Sequence, residues 1–64
     1  MMEGLKQLID KKVYVELSSG RRYSGVLKSI DEESSPVVFV SIIDKFGELV
    51  MFAKEEIKLI QEER

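Results

Sequence analysis

The sequence predicts a mostly β domain, one short N-terminal helix followed by five strands that curl into a small barrel. Residues 12–18 alternate apolar and polar side chains with period two, and residues 37–43 are apolar at nearly every position. Clusters of Ser, Gly, Asp and Pro separate these runs at turn-like intervals. At 64 residues the chain holds one domain, because two would each fall below the size that folds unaided.

Leu5, Leu8 and Ile9 stand at i, i+3 and i+4, which predicts an amphipathic helix over about 2–10, with Glu3 near its positive N-terminal end. Such a helix, with Gly4 inside it, is stable only when docked, so it is expected to lie as a lid on the sheet. The first strand, about 12–18, turns Val13, Val15 and Leu17 to one face and Tyr14, Glu16 and Ser18 to the other. Ser18 to Arg21 reverse the chain. The second strand, about 22–31, puts Tyr23, Gly25 and Leu27 inside, but Ile30 breaks that parity, so a bend or bulge is expected. Gly25 is the natural place for sharp curvature, since it brings no side chain against a neighbouring strand.

A polar loop, Asp31 to Pro36, leads to a third strand at about 37–43. The segment Asp44-Lys-Phe-Gly47 ends it with a glycine suited to positive φ, and a fourth strand follows at about 48–53. Lys54 to Glu56 make a tight turn into a last strand at about 57–60, after which Gln61 to Arg64 are expected to fray.

The third and fourth strands are apolar on both faces, more than a 64-residue barrel covers by itself. Either the helix lies over the second face or another subunit does. Nine helical residues are too few to cover Val38, Val40, Ile42, Val50 and Phe52 together. The expected oligomer interface is therefore Val38, Val40, Leu49, Val50, Met51, Phe52, Ile57 and Leu59.

Composition removes whole classes of chemistry. With neither Cys nor His, disulfides, thiolate sites and the usual zinc, haem and iron ligand sets are absent, and no cofactor is expected. The serines have no His to activate them, the pairs Glu32-Glu33 and Glu55-Glu56 are sequence neighbours in turns, and no phosphate-binding loop precedes a helix, so no enzyme is expected. No apolar run approaches the roughly 20 residues that span a bilayer, and the first residues lack the apolar core of a signal peptide. The cytoplasm is the expected location, with no membrane partner. Residues 1–30 carry six Lys or Arg against three acids, and residues 31–64 four against nine. The basic half could face phosphates, two opposite surfaces could favour self-association, or the charges could simply be solvated.

Lys12-Val-Tyr-Val-Glu-Leu, Gly20-Arg-Arg-Tyr-Ser-Gly25, Leu27 and Asp31 together resemble the first motif of the Sm and Sm-like (LSM) proteins, and Lys45-Phe-Gly-Glu-Leu-Val-Met-Phe resembles the start of the second. The resemblance covers almost the whole chain and is similar to short prokaryotic or archaeal-type members. It implies an N-terminal helix on a strongly bent five-stranded antiparallel SH3-like (Sm-fold) barrel. It also implies a homo-oligomeric ring closed by pairing the fourth strand of one subunit with the fifth of the next, acting in RNA metabolism.

Of the family's uridine pocket, Asp31 matches, whereas Glu33, Ser34 and Ser35 stand where a stacking residue, Met and Asn are usual, and Phe52-Ala53 where Arg-Gly is usual. Asp31, Glu32 and Glu33 would also repel phosphate there. The candidate RNA-binding residues are Asp31 and Ser35, with the cations Lys11, Lys12, Arg21, Arg22 and Lys28. Tyr14 and Tyr23 could stack on bases, though Tyr23 is expected to pack in the barrel. The resulting expectation is a non-catalytic, ring-forming RNA scaffold with a degenerate uridine pocket. The alternatives are an Sm-like scaffold that binds protein and not RNA, or an unrelated monomeric SH3-like barrel.

Overall fold

A computed structural model of the chain describes residues 2–33 and 36–63, with side chains from residue 4 onward. Helix α1 (Met2–Lys6) is followed by strands β1 (Lys12–Leu17), β2 (Arg22–Asp31), β3 (Phe39–Asp44) and β4 (Leu49–Ala53). A single 3₁₀ turn, Lys54–Glu56, then leads into β5 (Ile57–Glu62). The five strands form one antiparallel sheet in the order β4-β3-β2-β1-β5. The mostly β, five-stranded antiparallel architecture with a short N-terminal helix is as the sequence predicts.

The helix is shorter than its apolar spacing suggests. After Lys6 the chain tightens, with the Leu8 and Ile9 amides donating to Leu5 and Lys6 carbonyls three residues back at 3.0 and 3.2 Å. Asp10 then takes a left-handed φ of 72°, and its amide donates to the Leu27 carbonyl at 2.7 Å, which stitches the lid to β2. Leu5 is buried, and Leu8 and Ile9 pack on the core beside it. The side chain of Glu3 lies outside the described residues.

Val13, Val15, Leu27, Val40 and Ile42 are fully buried and form the core with Leu5 and Phe52. The Tyr23 ring packs on Phe52 with centroids 4.9 Å apart and planes tilted by 55°. Gly25 lies where β2 meets β3: a Cβ there would collide with the Ile43 carbonyl oxygen and sit 2.9 Å from its carbon and 3.1 Å from Asp44 Cα. The obstacle is backbone and cannot rotate away. The parity break in β2 is a separate feature, a register shift between Leu27 and Ser29 in the pairing with β3. It lets Leu27 and Ile30 both reach the core.

The two tight hairpins have the same design. Leu17 N–H donates to the Arg21 carbonyl (2.8 Å) and Asp44 N–H to the Glu48 carbonyl (2.9 Å), each closing a three-residue loop whose last member is a glycine at positive φ, Gly20 at 96° and Gly47 at 80°. Residues 61–63 do not fray as expected, and Arg64 lies outside the described residues. Gln61 and Glu62 pair with Tyr14 and Val13, and Glu63 N–H donates to the Lys12 carbonyl at 2.8 Å.

Candidate functional site

Two features of the sheet bear on function, its edges and its end loops. β4 and β5 are the outer strands, so neither has a strand on its far side among the described residues. Which backbone groups face outward follows from the alternation of antiparallel hydrogen bonds. The Asp44–Glu48 and Lys54–Val38 bonds fix that alternation in β3–β4: Val50 and Phe52 bond to β3, while Leu49 and Met51 turn their N–H and C=O to the edge. By the same reasoning the Glu63–Lys12 bond turns Ile60 and Glu62 outward on β5. Ala53, also edge-facing, gives its N–H to Glu56 Oε1 at 3.1 Å, which closes the end of the β4 edge.

The apolar residues expected at an interface divide by the same parity. Val40 and Phe52 are buried in the chain's own core, and Val50, paired with Ile42, packs against it, so these three do not form an outer face. They point inward because strand parity pairs Val40 with Phe52 and Ile42 with Val50 on the concave side. Ile57 also packs on the core, and Val38 is half-buried near the 3₁₀ turn. Leu49 (60% exposed), Met51 (54%) and Leu59 (40%) remain on the outer surface, on the two edge strands.

The loops at the helix end hold the positions of the expected RNA pocket. Asp31 Oδ1 accepts the Glu33 amide at 3.0 Å, shaping the loop, and Lys6 Nζ meets Glu32 Oε1 at 3.1 Å, so one of the three acids is partly neutralised by the lid. Ser34 and Ser35 lie outside the described residues. Pro36, which ends this loop, lines a shallow depression of about 180 Å³ with Val37, Val38, Lys54 and Glu55. Lys54, which is not among the cations expected from the sequence and stands in a turn beside Glu55 and Glu56, is the cation of this depression.

The structure separates the other cations. Lys11, Lys12 and Lys28 lie where β1 begins and β2 passes the lid, and Lys28 Nζ stands 3.8 Å from Asp10 Oδ1. Arg21 and Arg22 are at the opposite end of the β1–β2 hairpin. There Tyr14, Arg22, Tyr23, Ser24, Asp44, Lys45 and Phe46 surround an open groove of about 400 Å³. Phe46 is 77% exposed, and Lys45 Nζ lies 5.3 Å from its ring centre. An aromatic residue inside a turn was the available sequence signal for this groove. Among the described residues no cluster of three or more acids could hold a metal ion, and no helix is long and apolar enough to cross a membrane.

A short N-terminal helix on a five-stranded antiparallel sheet with two outward edges and opposed end loops defines a small barrel-like β domain. The family model described as LSM domain matches residues 3–34, half of the sequence, and the chain belongs to this Sm-like family. Its members are RNA-associated scaffolds, generally non-catalytic, that commonly form oligomeric rings. Searches of curated proteins and of solved structures find no match.

Proposed function

We propose that the chain is the protomer of a homo-oligomeric ring in which the β4 edge of one copy pairs with the β5 edge of the next. In this reading the ring is a non-catalytic cytoplasmic scaffold in RNA metabolism. The observation that carries it is the coincidence of outward backbone groups and exposed Leu49, Met51 and Leu59 on the same two strands. An unprotected apolar edge on a soluble domain invites strand addition, and pairing two such edges in a closed ring removes both.

The uridine pocket is degenerate in this reading. Phe52, which occupies the position of the family's pocket arginine, is 4% exposed and belongs to the core, so no cation stands at that position. Lys54 and the basic group Lys11, Lys12 and Lys28 leave a salt-sensitive contribution to phosphate binding at the helix end. A protein-binding scaffold is the second reading, favoured by Glu55, which is exposed and lines the depression, and by Glu33, which is exposed in the loop before Pro36.

Light scattering tests the assembly. The parent is expected to have the mass of a closed oligomer, and Met51→Pro, which deletes an edge-facing donor without touching the β3–β4 ladder, the mass of one chain. A monomeric parent across micromolar concentrations contradicts the ring. Anisotropy with labelled oligouridine tests the RNA reading: weak binding that falls steeply with salt is expected, with a log–log slope of about 0.7 per phosphate contact. Tight, salt-resistant uridine selectivity contradicts the degenerate pocket, and no binding at low salt favours the protein scaffold.

A further inference from the structure

We propose that Met51 is an oxidation site that controls assembly: its thioether fills a hole in the next copy, and a hydroperoxide that converts it to the sulfoxide keeps the copies apart. This deepens the ring reading and rests on it.

The destination of the side chain follows from the parity of the two edges. Residues directly opposite each other in an antiparallel pair share a face of the sheet. On β4 the edge-facing Leu49 and Met51 carry their side chains on the outer side, since Val50 and Phe52 point inward. On β5 the edge-facing Ile60 pairs with buried Val15 and packs on the core, so its side chain lies on the inner side. A β4 residue set opposite Ile60 of the next copy therefore sends its side chain to that copy's inner side, where the lid is. The strand lengths select Met51. Opposite Ile60, it lays all of Leu49–Ala53 beside residues 58–62, within β5. A slide of two residues one way puts Ala53 against the 3₁₀ turn. The opposite slide carries Leu49 beyond Glu62 and brings to Ile60 the Ala53 amide, which Glu56 already holds.

Next to Ile60 there is room for such a side chain. Gly4, Leu5, Leu8, Lys54 and Ile60 line an open cavity of about 260 Å³ between the lid and β5. Gly4 brings no side chain to it, and Lys54 reaches it on an apolar stem. An unbranched, polarisable thioether suits an irregular apolar gap of this kind. In the single chain Met51 is instead 54% exposed. Its sulfur is thus open to an oxidant in a free copy and covered in a paired one. The sulfur lone pair takes one oxygen of hydrogen peroxide as the O–O bond breaks, and the other oxygen leaves as water. Sulfur loses the two electrons that the peroxide gains. The polar sulfoxide must then leave water to enter a hole walled by Leu5, Leu8 and Ile60. Met51 is the one methionine beyond the first two residues of the chain.

The test applies hydrogen peroxide before and after assembly, read by light scattering and by mass spectrometry of the tryptic peptide Phe46–Lys54, which carries Met51 alone. Dilute, dissociated parent is expected to gain one oxygen on that peptide and to keep its β-sheet circular dichroism. It should then need at least about tenfold more protein for half-assembly, the effect of burying an unpaired polar group. The concentrated ring should be oxidised more slowly at Met51, and the two epimer-specific methionine sulfoxide reductases should restore assembly of the oxidised parent. Met51→Leu, close in volume, should form the ring with or without peroxide. Full oxidation of Met51 with an unchanged ring mass overturns the proposal and leaves the ring standing. Loss of assembly by peroxide-treated Met51→Leu does the same, since Met1 and Met2 would then be the cause. Loss of the β-sheet spectrum on oxidation also overturns it. If Met51→Leu does not assemble, the reductase cycle on the parent decides alone, and failure to recover the ring overturns the proposal. A parent that stays a single chain at every concentration overturns both the ring and its control.

Discussion

The centre and the edges of this sheet differ in how fully the single chain satisfies them. In β1, β2 and β3 the ladders run on both sides, and Val13, Val15, Leu27, Val40 and Ile42 are sealed from water. On β4 and β5 the inward residues are equally well used, with Phe52 in the core and Ile60 packed against it, yet the outward side carries exposed Leu49, Met51 and Leu59. The same strands are thus complete on one side and open on the other. A chain of 64 residues has only about 3–10 kcal/mol of folding stability, so edges that can be paired between copies are a further source of it.

Substitutions at the centre and at the edges should therefore act differently. The largest effect is expected from Gly25→Val, where the new side chain meets the backbone of Ile43 and Asp44 and β2 and β3 must separate. A loss of about 3 kcal/mol or more is expected, at the upper end for overpacking, seen as a lower thermal midpoint. An unchanged midpoint would mean that the strands part without cost at this crossing.

Neighbouring β4 residues provide a sharper contrast. Val50→Glu puts a carboxylate beside Ile42 on the inner side and should lower stability by roughly 2–3 kcal/mol through lost burial and desolvation, whatever the oligomeric state. Met51→Pro should keep the β-sheet circular dichroism spectrum while losing assembly. If Val50→Glu dissociates a fully folded protein, the assigned parity of β4 is wrong. A smaller effect is expected from Asp44→Ala, which removes the acceptor of two exposed turn hydrogen bonds. About 1 kcal/mol should be lost, measurable by urea unfolding.

The inner sheet was legible because its signals are local. The alternation of Val13, Val15 and Leu17 and the two Gly-ended turns fix β1 and both hairpins before any long-range contact is known. The length of the helix was less legible, since Leu5, Leu8 and Ile9 satisfy helical spacing equally well through the 3₁₀-type turn that follows Lys6. The inward direction of Val40, Val50 and Phe52 was also hidden. In a run apolar on both sides, the pattern cannot tell which parity is buried, and only pairing with β3 decides it. The site was legible in part. Asp31 and the loss of the family's pocket groups follow from the resemblance of the motifs, but Lys54 and the Tyr14–Phe46 groove bring together residues from distant turns, which no local pattern in the sequence records.

The central claim, pairing between copies through the β4 and β5 edges, is tested most directly by residue-resolved amide hydrogen exchange. The Val50 amide bonds to β3 within the chain and serves as an internal reference, whereas the Met51 amide faces the edge and gains a partner only from another copy. Protection of Met51 comparable to that of Val50 at high protein concentration, lost on dilution while Val50 stays protected, is the predicted result. A Met51 amide that exchanges at the unprotected rate at every concentration, beside a protected Val50, would contradict it.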